Sequence, residues 1–296
     1  MKKTLIIIGG PTGIGKTSLS ISLAKDIGSE IISCDSRQFF KELNIGVAKP
    51  SKEELKEVPH HFIGHKSVSE KYTVGNYEKE CLHLINILFK KHNILFLCGG
   101  SGLYIDAVCE GLNDFPKIDQ RIRENLNNNL QEKGLDYLNT ELRKCDKETY
   151  NKIDRQNPRR VIRALEVYQS SGRPYSFYIK QEKKKRDFNT VFIALETSRE
   201  ILYQKINNRV ELMFKNGLIE EVESLKKYQK NPALNTIGYK EIFHYFDTKK
   251  SIDETIQEIK KNTRRYAKRQ ITWFKHKKYH QFKISEYNKI KSLIRN

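Results

Sequence analysis

Eight residues, Gly10-Pro11-Thr12-Gly13-Ile14-Gly15-Lys16-Thr17, have the spacing of a loop that grips phosphate: a glycine, four residues, then Gly-Lys-Thr. They follow the apolar run Leu5-Ile6-Ile7-Ile8 and precede a helical pattern, the context such a loop needs. Glycines let the chain curl until successive N–H groups converge, and the start of the next helix adds its positive end. Lys16 brings a full charge, and the Thr17 hydroxyl can hold a magnesium ion. The loop is built to bind a polyphosphate, a nucleotide such as ATP included. It leaves open whose polyphosphate it is and what becomes of it.

Hydrolases with this loop carry a second carboxylate at the end of an apolar strand to position magnesium. Here the run at 94–98 ends instead in Gly99-Gly100-Ser101-Gly102. A hydroxyl in a glycine turn donates a hydrogen bond to an oxygen but is a weak metal ligand. The strand-end carboxylate in the first hundred residues is Asp35, which can assist magnesium or act as a base. This pattern weakens a motor or switch ATPase and leaves phosphoryl transfer and departure of diphosphate as competitors.

The elements that must position these groups alternate. Strands are expected at 5–8, 30–33, 94–98 and 190–195. Helices are expected at 17–27, 75–91, through Tyr104 and Val108, and at 198–214, 217–228, 237–246 and 252–275. The segment between Pro50 and Pro59 reads as polar and mobile, with a helical turn at 51–57. This order predicts an α/β fold: a P-loop NTPase-like core with a parallel sheet, residues 1–112 and 188–296, and a helical insertion at 113–187 rather than a second core. Ligands in such sheets bind beyond the carboxyl ends of the strands, where the loop, Asp35 and Ser101 all fall.

The 296 residues carry a formal net charge of +19, which favours a polyanionic partner because each phosphate neutralised releases a counterion. A lysine-rich composition gives the same excess, so the placement of arginines is more telling. Arg160 and Arg163 share a helix face while Val161, Leu165 and Tyr168 pack elsewhere. In 264–274, Arg265, Lys268, Arg269 and Thr272 share a side, and Trp273 and Phe274 read as packing residues. No apolar run approaches the ~20 residues of a membrane span, and the first run breaks too early for a secretion signal. Five scattered cysteines without C-x-x-C spacing fit a reduced, cytoplasmic chain without a zinc site. His60, His61 and His65 lack a completing cysteine or carboxylate set, and no metal is assigned there. Nothing demands more than a monomer.

Five segments, GPTGIGKT, SCDSRQFFKELNIGVAKP, CGGSGLYIDAVCEGL, NPRRVIRALEVYQSSGRP and AKRQITWF, resemble those of tRNA dimethylallyltransferases, in that family's order, from Gly10 to Phe274. The resemblance implies transfer of a dimethylallyl group from dimethylallyl diphosphate to the exocyclic N6 amine of the adenosine 3′-adjacent to the anticodon, in tRNAs reading codons that begin with U. It implies Asp35 at the amine, Ser101 (usually threonine in the family) at the bridging oxygen, and Lys16 with Gly10–Thr17 and magnesium at the diphosphate. It also implies contact with the anticodon stem-loop by Asp35, Ser36, Arg37, Gln38, Ser101, Arg123, Arg159, Arg160, Val161, Ile162 and Arg163. Arg123 is expected at tRNA, at diphosphate, or at both. The competing readings are an isopentenyltransferase for free adenine nucleotides, a nucleotide kinase, and a non-catalytic RNA-binding protein.

Overall fold

The computed structural model describes residues 2–276 and 278–295. Among these, six strands form one sheet: β1 (Thr4–Gly9), β2 (Ile31–Ser33), β3 (His60–His61), β4 (Ile94–Cys98), β5 (Asn189–Glu196) and β6 (His280–Lys283). Their order is β3-β2-β4-β1-β5-β6, and every pairing is parallel. Four helices precede the insertion: α1 (Lys16–Ile27), α2 (Lys52–Glu57), α3 (Val74–Leu88) and α4 (Gly102–Glu110). The insertion holds α5 (Gln120–Cys145), α6 (Lys147–Lys152), α7 (Pro158–Ser171) and α8 (Tyr175–Ile179). After β5 come α9 (Arg199–Lys215), α10 (Leu218–Ser224), α11 (Tyr239–Asp247), α12 (Ile252–Phe274) and α13 (Tyr287–Arg295).

β1 is the centre of the sheet, and its sequence says why. Leu5, Ile6, Ile7 and Ile8 are all fully buried. Leu5 and Ile7 join one apolar layer with Tyr77, Ile85 and Leu97; Ile6 and Ile8 join the opposite one with Leu19, Leu23 and Phe96. A strand covered on both faces reads as a continuous apolar run, and each such side chain stabilises the fold by roughly 1.5–3 kcal/mol. The chain moves to one side of β1 for β4, β2 and β3, then returns to its other side for β5 and β6. The crevice therefore opens at the carboxyl end of β1.

Several elements differ from expectation. β3 and β6 have no strand signal: one is two residues long, and the other, His280-Gln281-Phe282-Lys283, is mostly exposed and polar. The segment between the prolines holds a formed helix, because Ser51 and Glu54 cap α2 reciprocally. α3 ends at Leu88, not at residue 91. The polar helical stretch forms a compact unit, Glu110–Lys185, separate from the unit made by the rest of the chain. It has an apolar core of its own, built from Leu126, Leu138, Leu142, Val161, Ile162 and Leu165. That corrects the expectation of an insertion without a second core; the apolar residues are sparse but recur on facing sides of α5 and α7. No described helix is long and apolar enough to cross a membrane.

Candidate active site

The loop after β1 turns through Gly13 (φ 81°) and Gly15 (φ 107°), left-handed backbone that glycine adopts without strain. Gly15 is the N-cap of α1, so the first amides of that helix face the crevice. Thr12, Gly13, Gly15, Lys16 and Thr17 line a cavity of about 350 Å³ together with Asp35 and Arg209. Gly10, Pro11 and Ile14 complete the loop without lining this cavity. Ile14 is an anchor in the apolar layer under the sheet, and Pro11 accepts a hydrogen bond from Lys16 Nζ at 2.9 Å. Burial lowers the Lys16 pKa, opposed by the neighbouring Cys98 and Asp35. Such a charge is poorly hydrated and is strengthened by a phosphate beside it.

Asp35 lies two residues beyond the end of β2. One carboxylate oxygen accepts the Arg37 N–H at 3.0 Å, which fixes the side chain's orientation and leaves the other oxygen for a reactant. Ser101 follows β4 and lines neither this cavity nor the next. Its Oγ accepts the Ser36 N–H at 3.3 Å and lies 3.4 Å from the Ser36 hydroxyl, which ties the two strand ends together. Gln38 donates to the Ala48 carbonyl at 3.1 Å, and Arg37 to the Ala233 carbonyl at 3.0 Å. Both therefore brace loops around the crevice. Glu221 braces the same rim: it accepts the amides of Asn44, Ile45 and Gly46 at 2.9–3.1 Å and the Tyr239 hydroxyl.

A second cavity of about 400 Å³ shares Thr12, Asp35, Val47 and Arg209 with the first. Val210, Met213 and Ile259 give it an apolar wall; Ser36, Tyr266 and Arg269 give it a polar one. Asp35 and Arg209 thus stand where a phosphate-binding chamber meets a mixed one. Arg209 has its pKa lowered by burial and sustained by Asp35. Tyr266 is pushed up to about 12, by burial first and then by the Asp35 charge, so its phenol stays protonated and able to donate. Neither residue stands out in the sequence. Arg209 is one cation in an amphipathic helix, and only the packing of α9 brings it to the strand ends. Burial raises the pKa of Cys34 and Cys98 beneath the loop, so these thiols are not poised as nucleophiles.

A magnesium ion takes hard oxygen ligands and favours one or two protein groups plus phosphate oxygens. The Thr17 hydroxyl and the Asp35 carboxylate line the same cavity and fit that preference. No group of three or more His, Cys, Asp or Glu side chains placed to hold a metal occurs among the described residues. The three histidines have separate roles: His61 bonds Glu30 at 2.6 Å, His60 bonds the Val58 carbonyl, and His65 packs among Phe39, Phe62 and Tyr72.

In the insertion, Arg159 and Arg160 are exposed at the start of α7. Arg163 lies over the Phe115 ring, 5.0 Å from its centroid. Arg123 binds Glu166 through two nitrogens, at 2.5 and 3.0 Å, and Glu166 is 1% exposed. That buried carboxylate holds Arg123 and Arg163 together on one face. The Val161 and Ile162 side chains are buried in this unit's core and seat the helix that carries the arginines. In α12, Arg265, Lys268, Arg269 and Thr272 are exposed, and Phe274 is buried. Trp273 is 44% exposed, with one side of its indole packed against Gly102.

The model of the IPP transferase family matches residues 38–277. The tRNA dimethylallyltransferase of Christiangramia forsetii is 52% identical over 275 residues, 93% of this chain and 91% of that protein. That of Flavobacterium psychrophilum is 50% identical over 277 residues, 92% of this chain and 90% of its own. Among solved structures, the tRNA isopentenylpyrophosphate transferase of Bacillus halodurans superposes with a TM-score of 0.73 at 36% identity, covering 99% of this chain and 96% of that one. A eukaryotic dimethylallyltransferase acting on tRNA gives a TM-score of 0.79 at 28% identity, covering 97% of this chain and 76% of its own.

Proposed function

This chain belongs to the IPP transferase family, and from that premise we propose that it moves a dimethylallyl group from dimethylallyl diphosphate to the N6 amine of the adenosine 3′-adjacent to the anticodon, in tRNAs reading codons that begin with U. One observation carries the reading beyond family membership: the phosphate chamber and the mixed chamber meet at Asp35 and Arg209. A diphosphate ester in the first chamber and a purine in the second would meet at this junction.

The chemistry divides between the two chambers. An adenine amine is a weak nucleophile because its lone pair is delocalised into the ring. As that pair forms the new C–N bond, Asp35 takes the N–H proton, a contribution of roughly 10²–10⁴ in rate. The allylic C–O bond breaks at the same time, and its electrons go to the bridging oxygen of diphosphate. Lys16, Arg209 and the amides of Gly13, Gly15 and Lys16 are aimed at that growing charge. Magnesium, held by Thr17 and diphosphate oxygens, would add charge neutralisation at the diphosphate, leaving Asp35 free to act as the base. Ser101, on the rim of both cavities with its Oγ bonded to Ser36, would bring its hydroxyl to the leaving oxygen once substrate is bound. Val210, Met213 and Ile259 offer an apolar wall to the branched five-carbon group.

The anticodon stem-loop is held by the basic face of α7, where Arg159, Arg160 and Arg163 give phosphate contacts with Arg123 beside them. Extruding the adenosine costs a few kcal/mol, less in a strained single-stranded loop. The test uses labelled dimethylallyl diphosphate with unmodified tRNA, the same tRNA with that adenosine changed, or free AMP. Label on the intact tRNA alone supports the reading. Label on AMP would transfer the assignment to an enzyme of free adenine nucleotides.

A further inference from the structure

The loop after β1 and the glycine turn after β4 must hold their spacing while diphosphate leaves, and one side chain spans them. Gln270 of α12 is 5% exposed. Its Oε1 accepts the Thr12 N–H at 2.9 Å, and its Nε2 donates to the Gly100 carbonyl at 2.9 Å. A side chain at position 100 would start 2.2 Å from that Nε2, so the turn is glycine because the amide sits there. A carboxamide presents one acceptor and one donor at the end of a flexible stem, matched here to one backbone N–H and one C=O. Thr12 precedes the phosphate-facing amides of Gly13 to Lys16, and Gly100 precedes Ser101.

We propose that Gln270 is a positioning residue that clamps the phosphate loop to the Ser101 turn, and that it acts on turnover through Ser101. The inference rests on the reading of the site given above. It has a second consequence: the Thr12 N–H is already committed to Gln270, so phosphate is bound by the amides from Gly13 onward. Two further residues of α12 pack beside the clamp on the same helix face. Trp273 lies against Gly102 and Phe274 against Gly9, so the helix buttresses both loops along one stripe.

Gln270→Met fills the same space without either hydrogen bond. It is expected to fold, to keep KM for tRNA within about twofold, and to lose turnover roughly 10–100-fold, as misplacement of a reacting group does. The decisive measurement is a double-mutant cycle with Ser101→Ala. If Gln270 works through Ser101, the double variant turns over hardly more slowly than Ser101→Ala alone; independent losses would multiply. Amide hydrogen exchange at Thr12 supplies a readout apart from activity, with at least about tenfold faster exchange expected in Gln270→Met as its partner is lost. Wild-type turnover in Gln270→Met, multiplying losses in the cycle, or unchanged Thr12 exchange would each overturn the clamp. A wild-type protein that prenylates nothing would instead defeat the functional reading, and Thr12 exchange would still report on the clamp.

Discussion

A carboxylate between two cations can neutralise them or accept a proton, and Asp35 is held so that it can do the second. Its hydrogen bond from the Arg37 amide fixes one oxygen and leaves the other for the amine. Asp35→Asn keeps the shape and that bond but removes the proton acceptor. We expect tRNA affinity to stay within about twofold while single-turnover prenylation falls roughly 10²–10⁴-fold. An affinity loss with normal turnover would contradict the role. Arg209 tests the other half of the reaction. Burial lowers its pKa, yet a guanidinium stays charged at any working pH, whereas a buried ammonium does not. Arg209→Lys is therefore expected to lower turnover roughly 10–100-fold at neutral pH. The deficit should widen as pH rises, because a desolvated lysine loses its proton below the usual lysine range. A pH profile of both proteins measures this; a constant ratio across pH would refute it. Asp35 and Lys16 were legible in the sequence because each sits in a contiguous motif at a strand end. Arg209 was not, because nothing in its local sequence distinguishes a buried, aimed side chain from a solvated one; Gln270 lies in the quoted segment AKRQITWF, but its burial and its two backbone partners come only from the packing of α12.

At the scale of elements, the strands that the sequence predicts are those buried on both faces, and those it misses are edges. β3 is held less by apolar burial than by a polar knot: Glu30 bonds His61 at 2.6 Å and His92 at 3.1 Å, joining the approaches to β2, β3 and β4. Burial alone would raise the Glu30 pKa, but the hydrogen bonds from the two histidines outweigh it and the net shift is downward. A carboxylate depressed in the folded state adds stability above its unfolded pKa, near 4.3, and loses it as pH falls through the lower folded value. Glu30→Gln is expected to cost about 1–3 kcal/mol at pH 7. The difference between variant and parent should shrink as pH drops below about 4, where the parent's own carboxylate is protonated. Thermal melts of both proteins from pH 7 to pH 3 check this, and a pH-independent difference would show that packing, not charge, holds the edge. Such knots escape a reading by periodicity because their members lie far apart in the chain. The core of the insertion escaped for a related reason: α5 and α7 each show a sparse apolar stripe, and only their pairing makes a core.

For the whole molecule, the net charge of +19 raises the question of which cations grip RNA and which merely solvate the surface. The insertion gives a local answer. Glu166, buried in its core, binds Arg123 and Arg163, so part of that charge is already offset within the unit. Arg160 is exposed on the surface of α7, its backbone amide held by the Asn157 cap. A phosphate-contacting arginine of this kind adds affinity without reading sequence. Arg160→Ala is expected to weaken tRNA binding to every substrate alike, to reduce the slope of log affinity against log salt by about 1, and to leave turnover at saturating tRNA near the parent's. Arg123→Ala should behave differently. It strips a partner from a carboxylate that is almost fully buried, so it is expected to lower the melting temperature as well as the affinity. Measuring melting, salt slope and saturated turnover for both variants separates a residue that touches RNA from one that holds the touching surface in shape. An unchanged salt slope for Arg160→Ala would place the RNA-binding charge elsewhere, with the exposed Arg265, Lys268 and Arg269 of α12 as the next cations to test.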